Sequence, residues 1–126
     1  MNTKISTENA PKAAGPYSQA IQAGNLIFLA GQIYLTPEGK LLEGTPEEQI
    51  HQVMKNLEAV LKAAGLGFAD VVKTTIYVTD MSLFPLVNQI YGQYLSEPFP
   101  ARETVGAKEL PLGVWLEIGM TAIKNP

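Results

Sequence analysis

Apolar residues return along this chain with two different periods. Ile50, Val53, Met54, Leu57, Val60, Leu61 and Ala64 recur every three or four positions, which gathers them on one stripe of a helix. Thr45, Pro46 and Glu48 supply an N-cap, a first-turn proline and the closing half of a capping box. Gly65 stands where a helix ends in left-handed backbone. A second stripe runs through Leu83, Val87, Ile90 and Tyr94. Asp80 or Ser82 caps it, Pro85 falls in its first turn, and it reaches to about Leu95.

The other period is two. Along 114–123, Val114, Leu116, Ile118, Met120 and Ala122 share one face, while Trp115, Glu117, Gly119, Thr121 and Ile123 share the other. Residues 71–79 are rich in β-branched side chains and predict a further strand. Residues 17–22 and 26–33 flank Ala23-Gly24-Asn25, a three-residue hairpin connection. Leu26 to Ala30 is apolar without alternation, so both of its faces should be covered. Residues 8–16 read as a loop that delivers Tyr17. Thr36-Pro37-Glu38-Gly39 reads as a type I turn and Leu110-Pro111-Leu112-Gly113 as another turn. Pro98-Phe99-Pro100 leads into an extended stretch through Arg102, Thr104 and Val105.

The order ββαβαββ predicts an α+β sandwich: one mixed β-sheet with two helices on one face, in a single domain over 1–126. The helices sit on the Leu116 side of the last strand. The other side keeps Trp115, Ile123 and half of the hairpin strand. In water these would form a large apolar patch, so self-association with closed symmetry is expected.

Composition narrows the function classes. Hydrophobic residues make up 46% of the 126 and the net charge is −3, so no electrostatic footprint for nucleic acid or an anionic membrane is present. Cysteine is absent, which removes thiol nucleophiles, disulfides and zinc–thiolate sites. No apolar run spans a bilayer and the N-terminus is unlike a signal peptide, so a cytoplasmic location is expected. His51 is the only histidine and gives little support to a histidine triad or a His-rich metal site. No cofactor and no metal are expected.

Two charged residues carry candidate chemistry. Strand alternation puts Arg102 on one face with Thr104 and turns Glu103 to the other, which leaves the guanidinium available. Such a fork holds a carboxylate through two parallel hydrogen bonds, and points to a small organic acid as ligand. The alternative is a rim arginine with its stem packed on apolar neighbours. Glu117 lies on the face expected to be buried between subunits. It is either a proton acceptor near neutral pH or a structural carboxylate bonded to backbone or to an arginine across that interface. Tyr17 and Asn88 alone read as ordinary structural residues.

Several short words, taken together, carry a resemblance. They are Asn9-Ala10-Pro11, Gly15-Pro16-Tyr17-Ser18-Gln19-Ala20, Gly31-Gln32-Ile33, Ala63-Ala64-Gly65-Leu66, Val72-Lys73-Thr74-Thr75, Pro100-Ala101-Arg102 and Leu116-Glu117-Ile118. In this order, over almost the whole chain, they resemble the RidA branch of the reactive intermediate deaminase (YjgF-type) family. The resemblance implies a chorismate-mutase-like fold assembled as a homotrimer, with sites in the clefts between subunits. It implies hydrolysis of 2-imino acids, such as 2-iminobutanoate and 2-iminopropanoate, and their enamine tautomers to 2-oxo acids and ammonia. By the same resemblance Arg102 binds the substrate carboxylate and Glu117 positions or activates water. Tyr17, Gly31 and Asn88 line the cleft, and the Thr104 backbone is a further contact. Ala30 stands in the cleft where a serine is frequent in the family, and Thr104 stands where many members have cysteine. Glu103, Gly106 and Gly119 also depart from the family pattern. A non-catalytic regulator that binds 2-oxo acids in the same cleft is the competing reading. A ribonuclease, a role attached to relatives, is opposed by the acidic charge and the lack of a histidine pair.

Overall fold

The last strand organises the sheet. The computed structural model describes residues 2–125; Met1 and Pro126, the ends of the span expected to form one domain, lie outside them. In chain order the elements are β1 (Thr3–Ile5), β2 (Ala20–Ala23), β3 (Leu26–Gln32), α1 (Pro46–Ala63), β4 (Val71–Val78), α2 (Phe84–Tyr94), β5 (Ala101–Gly106) and β6 (Leu116–Ile123). They form one mixed sheet of order β1-β2-β3-β6-β4-β5, antiparallel except for the parallel pair β4–β5, which α2 connects. Strand β6 lies between β3 and β4, and its burial alternates as predicted: Leu116, Ile118, Met120 and Ala122 point into the core.

Both helices cover that core face. In α1, Thr45 Oγ1 accepts from the Glu48 N–H at 3.1 Å and Glu48 Oε1 accepts from the Thr45 N–H at 2.9 Å, which closes the capping box. Gly65 ends the helix at φ +78°. The stripe from Ile50 to Leu61 is buried against β3 and β6. Among the described residues no helix is long and apolar enough to cross a membrane.

Several expectations are corrected. Strand β1 was not predicted; it has three residues, of which only Ile5 is buried, so no periodic signal exists. Strand β2 starts at Ala20, which leaves Tyr17 in the preceding loop rather than in a strand. The hairpin turn has two residues, because Ala23 pairs with Leu26 and Gly24 takes φ +63°. In α2 the buried aromatic is Tyr91; Tyr94 is only half-buried, and its hydroxyl sits 2.6 Å from His51 Nδ1. A short 3₁₀ turn, Met81–Leu83, precedes the helix with Asp80 as its cap, so Leu83 lies outside the helix. Strand β6 begins at Leu116, not Val114. Trp115 therefore turns to α1, where its indole N–H donates to Gln49 Oε1 at 2.7 Å, and does not join the open face.

Strand β3 alternates in burial although its sequence does not. Ile27 and Leu29 enter the core, while Leu26 and Phe28 stand on the helix-free face at 36% and 46% exposure. That face is apolar at its ends, with Phe28 and Ile123 at one and Tyr77 and Val105 at the other. Lys73, Thr75, Glu103 and Thr121 lie between them.

Candidate functional site

Arg102 lies on β5, an edge strand, opposite Thr74 of β4. Alternation places it as the sequence predicts. Its guanidinium turns to the helix side of the sheet, over the rings of Phe84 and Tyr91, whereas Glu103 turns to the other side. There Glu103 meets Lys73 Nζ at 3.3 Å, the only ion pair among the described residues. Arg102 is thus charged, exposed and without an acidic partner among them. It borders a groove of about 440 Å³ with Asn88, Tyr91, Gly92, Phe99 and Pro100. Asn88 reaches this groove because α2 puts it one turn before Tyr91 and Gly92. Thr104 follows two residues after Arg102 on the same side of β5 and is half-buried.

Glu117 belongs to a second hollow on the opposite side of the sheet. It pairs across β6–β4 with Tyr77 and points away from the helices. The cleft it borders, about 530 Å³, is also lined by Tyr17, Ala30, Gly31, Pro111 and Leu112. A β-bulge shapes this wall. Between Leu29 and Gln32 strand β3 spends one residue more than β6 does, so Ala30 and Gly31 stand across from Gly119 alone. The carboxylate lies directly over Gly31. A Cβ there would overlap Glu117 Oε2 and stand 3.0 Å from the carboxyl carbon, so the site needs a glycine at this position. Burial raises the Glu117 carboxyl above its ordinary value of 4.5, and no cation among the described residues opposes that rise.

Tyr17 is brought to the cleft by a residue that the sequence reading passed over. Gln19 is buried, and its side chain accepts from the Thr7 N–H at 2.7 Å and donates to the carbonyls of Thr7 and Pro11 at 3.1 and 2.8 Å. One amide thereby fastens the loop from Ser6 to Ser18. The backbone carbonyl of Gln19 accepts from the Ala30 N–H at 2.9 Å, which ties that loop to the bulge. A glutamine among loop residues carries no pattern by which burial could be foreseen. Tyr91 shares a stripe with Val87 and Ile90, but Tyr94 fits the same spacing, so the sequence does not single Tyr91 out.

The predicted residues therefore fall into two groups. Arg102, Asn88 and Thr104 lie on the helix side at the β5 edge; Glu117, Tyr17, Ala30 and Gly31 lie on the helix-free side near β3. Within one chain the sheet separates them.

Comparison with known proteins supplies the family. Residues 7–124 match the family model described as endoribonuclease L-PSP. The chain belongs to the YjgF/RidA family. A RutC family protein of Pyrococcus horikoshii is 46% identical over 126 residues, covering 99% of this chain and 100% of that one. Human 2-iminobutanoate/2-iminopropanoate deaminase is 45% identical over 97% of this chain and 90% of its own. The crystal structure of Escherichia coli TdcF with bound serine superposes with a TM-score of 0.92 at 32% identity, covering 98% and 99% of the two chains. Relatives in this family thus include a protein named an imine deaminase and one whose structure holds serine.

Proposed function

We propose that this chain hydrolyses 2-imino acids of the 2-iminobutanoate and 2-iminopropanoate class to 2-oxo acids and ammonia, in clefts between the subunits of a homotrimer. The observation that carries the reading is the separation of Arg102 from Glu117. A cation without an acidic partner among the described residues and a carboxylate of raised pKa, each beside its own open hollow, lie on opposite faces of one sheet. They become one site only when two copies meet. The uncovered sheet face, with Phe28 at 46% exposure, gives the copies a reason to do so.

In that cleft Arg102 grips the substrate carboxylate through two N–H donors and fixes the C=N carbon relative to Glu117 of the neighbouring copy. Glu117 takes a proton from a water molecule as the water oxygen bonds to that carbon, and the nitrogen gains a proton. The resulting carbinolamine loses ammonia as the hydroxyl gives up its proton and the carbonyl forms. One water enters, and one 2-oxo acid and one ammonia leave. Imines hydrolyse unaided in water, so orientation and one proton acceptor suffice for a useful acceleration.

Mixing tests this directly. Arg102→Ala and Glu117→Gln proteins should each be inactive towards an imine generated by an amino-acid oxidase and trapped competitively with semicarbazide. Unfolded, combined in equal amounts and refolded together, they should recover about a quarter of the parent activity, since a site then needs an intact arginine from one copy and an intact glutamate from the next. No recovery from correctly assembled mixed trimers would overturn the shared site. Parent activity in Arg102→Ala alone would remove the arginine from it.

A further inference from the structure

The Arg102 guanidinium lacks an acidic partner among the described residues, yet it is held from behind. Its Cζ stands 5.1 Å from the centroid of the Tyr91 ring and 5.4 Å from that of Phe84. Tyr91 is 4% exposed, and its hydroxyl donates to Thr74 Oγ1 at 3.0 Å. Thr74 is fully buried and is itself the β4 residue that pairs with Arg102. The contacts close on themselves: arginine to ring, ring to threonine, threonine across the ladder to arginine.

An aromatic face attracts a guanidinium without using any of its N–H donors, which lie in the plane of the group. A carboxylate in the same place would hold the arginine as firmly, but would occupy those donors and cancel the charge. Resting on the reading of Arg102 as the carboxylate anchor, we infer that Tyr91, fixed by Thr74, is a positioning residue for anion capture. It presents the arginine fork with its donors and its charge unspent, and Phe84 supplies the second ring. Tyr91 need not touch the substrate; it acts through Arg102.

The test measures binding of 2-oxobutanoate, steady-state imine hydrolysis, and the proton–nitrogen NMR resonance of Arg102 Nε–H in the ligand-free protein. Tyr91→Leu is expected to raise Kd and KM together by about two- to fivefold, the range that a cation–π contact supplies, while kcat holds. The Nε–H resonance should lose its upfield ring-current displacement. Tyr91→Phe keeps the ring and should recover most of the affinity and of the displacement. If Tyr91→Leu does not fold, Thr74→Val removes only the anchoring acceptor and should move Kd in the same direction by less. Unchanged Kd in a folded Tyr91→Leu protein, or a fall in kcat with an unmoved Nε–H resonance, overturns the positioning role. Arg102→Gln that binds 2-oxobutanoate as well as the parent overturns the anchor itself, a result separable from the other two.

Discussion

Arg102 and Glu117 are both unpaired among the described residues, and each is tolerated for its own reason. The guanidinium stays partly in water with aromatic faces beneath it. The carboxylate is half-buried, so its charged form is disfavoured and its pKa rises. With the folded value above the unfolded one, the folded state binds the Glu117 proton more tightly. Stability contributed by that proton is complete below the unfolded pKa and is lost as pH rises through the folded pKa. Glu117→Gln should therefore raise the melting temperature at pH 7, with the difference from the parent vanishing in strong acid, while imine hydrolysis is lost. For the parent, the acid limb of kcat/KM should titrate above the ordinary carboxylate value. At Gly31 the backbone is not in the left-handed region, so Gly31→Ala should fold. The added methyl would push Glu117 aside, and kcat/KM should fall by about tenfold or more with little change in melting temperature.

At the scale of elements, α1 is the part most dependent on local sequence. Its capping box joins Thr45 and Glu48 reciprocally, and Thr45→Ala should cost about 1 kcal/mol of unfolding free energy, read from the denaturant midpoint at unchanged slope. That same local completeness made α1 legible from the sequence: cap, stripe and terminating Gly65 all agree. Helix α2 was legible in existence and in the facing of Val87 and Ile90, but not at its ends. The 3₁₀ turn at Met81–Leu83, held by the Asp80 side chain, takes the place of the expected first turn, and at the other end Tyr91 enters the core while Tyr94, the last helical residue, is only half-buried. The facing of Arg102 and Glu103 followed from alternation alone. That the Arg102 side looks towards α2 depends on the Thr74–Arg102 register of a parallel pair, which no local pattern encodes.

At the scale of the molecule, the alternation of β6 announced a sheet covered on one side only, and the open side is present, though less uniformly apolar than the sequence implied. Trp115 leaves it for α1, and Lys73 with Glu103 places an ion pair in its midst. Phe28→Asp sets a charge on the apolar end of this face and should shift the mass measured by light scattering towards the monomer, with imine hydrolysis declining in step. A parent protein that is monomeric and fully active would contradict the assembly. The division of Arg102 and Glu117 between the two sides of the sheet also bears on dosage. Under the proposed sharing, a catalyst whose halves reside on separate polypeptides works less than proportionately when the protein is scarce, because dilution dismantles the reaction centre itself. On that arrangement a copy lacking both residues spoils a neighbour's site as well as failing alone, whereas a copy lacking only one does not.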